Sequence, residues 1–254
     1  MTQEEIFTNP TVKQVIFQIR FPSLFAIENR IDSFQEKIVD ELPESALIQK
    51  QSFVWTDVVQ PSERQTDPVP GVPIQKIWRF RSPKGYTVNV SLDSVDISSE
   101  LHKTYKNIQS ENRFRDIIQK VLESFGEVYK LRSVNRVGLR YIDECPVTKA
   151  TNGSFKRYYN SVFPLDRFSL NDAEEMLFRT VNHRNGFFLT YMEFFKINNG
   201  KPTYTLDFDG FAKDVAFTEC LSVTDSLHEI ISNEYFATIR KPVKNFMRKD
   251  KAKK

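Results

Sequence analysis

The chain has 254 residues, of which 40% are hydrophobic and 27% are charged, and this ordinary balance excludes a wholly disordered or fibrous protein. It contains 22 phenylalanines and only 8 glycines, which favours bulky cores over the glycine-rich phosphate loops of many nucleotide-binding enzymes. The two cysteines, Cys145 and Cys220, lie far apart without CxxC spacing, so we expect neither a disulfide framework nor a thiolate metal site.

Charge is distributed unevenly along the chain. Residues 240–254 contain eight basic residues and one acidic residue, a net charge of +7, so with a total of +3 the first 239 residues carry −4. No apolar run reaches 18 residues, and the N-terminal sequence MTQEEIFTNP has no basic segment followed by an apolar one. We therefore expect a cytoplasmic protein with no membrane partner.

The first half of the chain begins with a strand at 12–21, because VKQVIFQIRF is rich in β-branched and aromatic residues and ends at Pro22. Apolar residues spaced by three and four then predict a helix between Leu24 and Leu42, capped by Ser23. Further elements are predicted in this order: strands at 46–59, 77–82 and 86–95, a proline-rich loop at 61–73 between the first two, and an amphipathic helix at 110–128 capped by Ser110.

The second half repeats much of this order. VNRVGLRYID (134–143) matches VKQVIFQIRF in its V-x-x-V start and its alternation, and 155–163 is a shortened counterpart of the first helix. PTYTLDFDGF lies over YTVNVSLDSV almost position by position. The remaining predicted elements are strands at 174–183, 187–197 and 202–211 and a final helix over 227–239.

These elements predict an α+β fold, in which an antiparallel sheet carries long helices on one face. Two related halves, each with the order strand, helix, strands, helix, span 1–132 and 133–239, and a basic tail follows at 240–254. The TATA-binding-protein-like and helix-grip folds have a similar order of elements, which is an analogy of fold and not of function.

Five segments carry a resemblance to a known family: NPTVKQVIFQIRFP, FQEKI, WRFRS, NRVGLRYID and LHEIISNEYF. At these spacings the chain resembles an uncharacterised, sporadically distributed prokaryotic family of about this length. Membership implies no known activity, cofactor or catalytic residue. The sporadic distribution suggests a mobile or defence-related gene context.

The sequence contains no recognisable catalytic motif. GxSxG, GxxxxGK[ST] and GxGxxG are absent, and the three histidines, His102, His183 and His228, are too widely spaced to place two ligands on one helical face. We therefore expect no metal and no cofactor, and we leave open whether the protein is an enzyme while favouring a protein that is not one.

The polar face of the predicted sheet is the first candidate site. Alternation along the strands gathers charged side chains on one side, and its candidate ligand-binding residues are Arg20, Arg79, Arg81, Arg140, Asp207 and Asp209. One interpretation is a solvated face with charges paired across strands. The other is a concavity in which guanidinium groups bind phosphate or a nucleic-acid backbone.

The basic tail is the second candidate. Its candidate nucleic-acid-binding residues are Arg240, Lys241, Lys244, Arg248 and Lys249. A like-charged terminal run is most often solvated and disordered, and otherwise attracts nucleic acid without sequence preference. Phe246 and Met247 indicate a short docked turn within it.

Three functional hypotheses follow. The leading hypothesis is a non-enzymatic binding or regulatory module that engages a protein or nucleic-acid partner. The first alternative is a phosphoester- or nucleotide-processing enzyme that uses the arginine-rich sheet face, which requires these groups to converge in one pocket. The second alternative is an oligomeric scaffold, for which an unpaired apolar surface patch would be the signature.

Overall fold

The computed structural model describes residues 5–51 and 74–249, and within them nine antiparallel strands form one open sheet. The strands are β1 (Val12–Arg20), β2 (Glu44–Gln51), β3 (Ile74–Arg81), β4 (Tyr86–Val90), β5 (Ser94–Ser99), β6 (Ser133–Cys145), β7 (Glu175–Arg184), β8 (Phe187–Asn198) and β9 (Lys201–Ala216). The helices are α1 (Ala26–Ile38), α2 (Phe114–Tyr129), α3 (Asn152–Tyr158), α4 (Cys220–Thr238) and α5 (Lys241–Met247), with a 3-10 turn at Phe217–Glu219.

The strand order is β2-β3-β4-β5-β1-β6-β9-β8-β7, which confirms the α+β class and the antiparallel sheet. β1 and β6 pair at the centre, and the strands that follow each of them fill one side of the sheet. β2 and β7 are therefore the two edges. No helix within the described residues has the length and apolarity needed to cross a lipid bilayer.

The core lies between the sheet and its helices. Along β1, alternation buries Val15, Phe17 and Ile19 on the helix side, as expected for a strand covered on one face. From α1, the fully buried Phe34 packs edge-to-face on Phe125 of α2, with ring centroids 5.7 Å apart. Each such buried side chain contributes roughly 1.5–3 kcal/mol before entropy is counted, so these apolar patterns decide which sheet face the helices cover.

The predicted single strand at 86–95 is wrong, because it is a hairpin made of β4 and β5. The turn closes with hydrogen bonds from the Ser91 amide to the Ser94 carbonyl (2.9 Å) and from the Ser94 amide to Ser91 Oγ (3.1 Å). Serine and aspartate side chains favour turns by bonding to nearby backbone. Periodicity missed the turn because apolar residues alternate on both sides of it.

Both predicted serine caps are also wrong. α1 begins at Ala26 and α2 at Phe114, and neither helix has a side-chain cap hydrogen bond. Ser110 instead accepts a hydrogen bond from the Asn112 amide (3.2 Å) in the preceding loop. Of the stretch predicted at 155–163 as a shortened helix, only 155–158 is helical, as the end of α3, which has 7 residues against the 13 of α1. The predicted loop at 61–73 and the end of the strand predicted at 46–59 lie outside the described residues.

Candidate functional site

The sheet face opposite the helices, called the open face below, carries all six residues of the first candidate site. Cross-strand partners share a face, and successive partners place Arg81, Arg140 and Asp209 in one row that crosses the sheet from β3 to β9. Arg79 lies in the next row with Gln18. Neighbouring strands are about 4.8 Å apart, so the four steps from β3 to β6 separate the arginines of β3 from Arg140 by roughly 19 Å.

Gln18 lies at the centre of a hydrogen-bond network on this face. Its Nε2 donates to Asp96 Oδ1 (2.5 Å), and its Oε1 accepts from Arg20 Nε (2.6 Å) and more weakly from Arg136 Nη1 (3.3 Å). Arg136 Nη2 in turn donates to both oxygens of Asp209 (2.7 and 2.9 Å). The network thus connects β5, β1, β6 and β9.

Arg136 was not among the predicted site residues, although the sequence contains the signal for it. It precedes Arg140 by four residues on β6, so strand alternation places both on one face. Its guanidinium carbon lies 4.8 Å from the ring centroid of Phe211, within cation–π range. Gly138 lies between the two arginines on β6, and the Arg136 guanidinium group occupies the space that a side chain at position 138 would fill.

Each of the two predicted carboxylates binds an arginine. Asp207 accepts two hydrogen bonds from Arg140, Nε to Oδ1 (2.8 Å) and Nη2 to Oδ2 (2.5 Å), and Asp209 accepts from Arg136. The hydrogen bonds that Arg140 donates to Asp207 raise the pKa of Arg140 above its usual value. Among residues 5–51 and 74–249, no group of three or more His, Cys, Asp or Glu could hold a metal ion.

The arginines of β1 and β3 differ from this pair. Arg79 Nε donates to Asn89 Oδ1 (2.8 Å), but Arg20, Arg79 and Arg81 form no ion pair with another described residue. A polar cavity of about 350 Å³ lies beside Arg20 and Asn89. Its other polar lining residues include Gln18, Gln75, Ser91, Asp93, Ser94 and Asp96.

Asp96 is the most buried acid of this cavity. Burial raises its pKa above the ordinary value, while the hydrogen bond from Gln18 and the charge of Arg20 act in the opposite direction. The carboxyl group therefore holds its proton to a higher pH than an exposed aspartate does. The cavity thus offers hydroxyl, amide and carboxyl groups beside an arginine.

The basic tail residues lie elsewhere. Val243 and Met247 are buried, so α5 docks beside α3 and α4 on the helix side of the sheet. Arg248 forms a two-bond ion pair with Glu5 (2.7 and 2.8 Å), and Lys244 lies 4.9 Å from the ring centroid of Phe236. The other candidates, Arg240, Lys241 and Lys249, flank or begin this helix. The docked turn expected at Phe246 and Met247 is therefore present as a helix.

A second polar cluster, which the sequence did not indicate, is buried on the helix side. Thr11 Oγ1 donates to Asp143 Oδ1 (2.7 Å) and shares a hydrogen bond with the Tyr235 hydroxyl (2.6 Å). Burial raises the pKa of Asp143 to about 7, and the bond from Thr11 lowers it in part. The available signal was position, because Asp143 occupies a place in the β6 alternation that apolar residues otherwise fill.

No protein-family model, curated protein or solved structure matches the chain. The comparisons therefore assign no activity to it, in agreement with the resemblance to a family of unknown function.

Proposed function

We propose that this protein is a non-enzymatic binding module whose open face engages single-stranded nucleic acid. The observation that carries the proposal is the group of three arginines, Arg20, Arg79 and Arg81, which form no ion pair with a described residue, together with the polar cavity that Arg20 lines. Guanidinium groups without a carboxylate partner bind phosphate well, because their planar donors match its oxygens.

The spacing of these arginines favours a strand over a mononucleotide. Three steps between neighbouring strands separate β1 from β3, so Arg20 and Arg79 lie roughly 14 Å apart across the sheet. Arg20 is bonded to Gln18 and Arg79 to Asn89, and an extended backbone with successive phosphates can contact both groups in these positions. Asn89 on β4 lies between them and accepts from Arg79 through Oδ1, so its Nδ2 group can donate to the edge of an unstacked base.

The enzymatic alternative has less support. It requires Asp207 and Asp209 to act together with the arginines, but each carboxylate already holds a guanidinium group. Both oxygens of each carboxylate accept these hydrogen bonds, which leaves the carboxylate little freedom to bind a cation. A protein partner on the open face is a further alternative, which the binding measurement distinguishes.

We also propose that the two halves arose by duplication. The alignment that matches Val12 with Val134 makes Phe17 equivalent to Leu139, and these two residues are cross-strand partners in the β1–β6 ladder. A two-fold relation between equivalent antiparallel strands requires such a self-matching pair. Strand order supports the proposal as well, since β1 and β6 each neighbour the last strand of their own half.

Fluorescence anisotropy with a labelled oligothymidine tests the proposed function. If about three phosphates are neutralised, raising the salt from about 50 to about 200 mM weakens binding roughly 20-fold. The triple variant Arg20→Gln, Arg79→Gln, Arg81→Gln should lose most of the affinity and most of the salt dependence. The matched control is Lys241→Gln, Lys249→Gln, which removes two exposed charges from the tail and should bind as the wild type does.

Two outcomes would overturn the proposal. Loss of binding in the tail variant alone would make the tail the anchor. If the wild-type chain does not bind oligothymidine at low salt, a protein partner becomes the favoured ligand of the open face.

A further inference from the structure

β7 is an edge strand with unusual regularity. It pairs with β8 through ten consecutive residues without a register shift, and none of the described strands pairs with its outer side. The sequence EMLFRTVNHR contains no proline. Proteins usually blunt such edges with bulges, prolines or short strands, because unpaired backbone groups recruit further strands.

The side chains of β7 add an apolar surface to this edge. On the open face Leu177 is 60% exposed and Val181 is 48% exposed, and the charged residues Glu175 and Arg179 lie on either side of Leu177. Neither charged residue forms an ion pair within the part of the chain that the structure describes. Charge and apolar area are therefore both available to a partner.

We propose that β7 pairs antiparallel with β7 of a second copy of this chain, with Leu177 opposite Leu177 of the partner subunit. In this register Glu175 lies opposite Arg179 of the partner subunit, and the two-fold axis repeats the pair on the other side of Leu177. On the helix side of the sheet, Met176 meets Phe178 of the partner subunit. Opposite charges and apolar groups directly across a ladder each stabilise it.

Neighbouring symmetric registers lack this complementarity. A ladder centred on Arg179 places two guanidinium groups opposite each other, and like charges in that position are destabilising. A ladder centred on Phe178 sets Leu177 against Arg179 of the partner subunit. Only the register centred on Leu177 matches Glu175 with Arg179 and buries the most exposed hydrophobic side chain of the strand.

The dimer would extend one sheet across two copies. Because the two-fold axis of such a ladder is perpendicular to the sheet, both open faces point the same way. Any ligand long enough to span them would then be bound by two sites at once, which raises its overall affinity. The pairing itself rests on β7 alone and does not depend on what the open face binds.

Disulfide trapping tests the register. Directly opposite residues in an antiparallel ladder have Cα atoms about 4.5–5.5 Å apart, which suits a disulfide. The Leu177→Cys variant should form a covalent dimer on mild oxidation, whereas the matched controls Arg179→Cys and Val181→Cys should not. The native Cys145 and Cys220 are buried and do not compete.

Sedimentation of the uncross-linked chain supplies the second measurement. The wild type should dimerise, and Glu175→Arg or Arg179→Glu alone should weaken the dimer at least about tenfold. The double exchange should restore it, which shows that the single variants had not simply misfolded. A wild-type chain that stays monomeric at all concentrations, or a dimer trapped through Arg179→Cys and not through Leu177→Cys, would overturn the proposal.

Discussion

The guanidinium group of Arg136 lies against Gly138, where a Cβ on residue 138 would stand 2.2 Å from Arg136 Nη1. Glycine is required here by close approach and not by backbone conformation. From this position Arg136 reaches Gln18 on one side and Asp209 on the other. Because Gly138 has no side chain, Arg136 can connect β1 with β9 across the open face.

Substitution of Gly138→Ala should displace Arg136 and break its bonds to Asp209. Because the clashing atom is the end of a flexible side chain, the cost should come from the lost ion pair, about 1 kcal/mol in the free energy of unfolding. The double variant Gly138→Ala, Arg136→Gln should therefore have a free energy of unfolding only slightly below that of Arg136→Gln alone. Denaturant unfolding of the three variants measures this coupling.

Gly153→Ala is the matched control, because the residue is helical and a methyl group added there would meet nothing within 4 Å. It should be neutral or slightly stabilising. Additive losses for Gly138→Ala and Arg136→Gln would contradict the assignment of Gly138 to the Arg136 contact.

Stability should depend on the protonation of Asp143. Burial raises its pKa from 3.8 to about 7, so the folded chain binds the proton more tightly than the unfolded chain does. The stabilisation that the protonated Asp143 provides is complete below pH 3.8. The free energy of unfolding then falls as the pH rises to about 7. The free energy of unfolding of the wild type, less that of Asp143→Asn, should therefore fall by at most about 4 kcal/mol across this pH window.

Denaturant titrations at several pH values measure that difference. Asp40→Asn, at an exposed position, serves as the control for the loss of one carboxylate. A wild type minus Asp143→Asn difference that stays constant with pH would show that Asp143 is not held protonated by its surroundings.

Both thiols should be unreactive in the folded chain. Burial raises the pKa of Cys220 from 9.0 to about 12 and that of Cys145 well above its ordinary value. The thiolate is the reacting species, so at about pH 8 a disulfide reagent should modify the native chain at least about a hundredfold more slowly than the unfolded chain. The Cys220→Ser variant isolates Cys145, and a fast native phase in either chain would contradict the prediction.

Helix α5 should contribute to stability despite its charge. Val243 is fully buried in the core, so Val243→Ala should lower the free energy of unfolding by about 1–3 kcal/mol. Asn245→Ala, on the exposed side of the same helix, should have no destabilising effect. Equal unfolding midpoints for Val243→Ala and the wild type would mean that α5 does not pack as a core element in solution.

Much of the fold was predictable, because it follows from local side-chain patterns. The alternation of Val15, Phe17 and Ile19 predicts both the strand and its buried face, and the steps of three and four in α1 predict the helix. The hairpin of β4 and β5 was missed because the alternation of Tyr86, Val88 and Val90 continues to Leu92 inside the turn, and its phase changes only at Val95.

The sequence by itself determined which residues share the open face, since the period of two in each strand decides sidedness without any neighbour. Only the tertiary structure decided which of them meet. Gln18 and Arg136 are 118 positions apart and Arg140 and Asp207 are 67 apart, and the register that joins them is set by the packing of whole strands. Strand order separates Arg79 and Arg81 from Arg140. That order depends on the energy of the complete sheet and is not encoded in the local sequence around the paired residues.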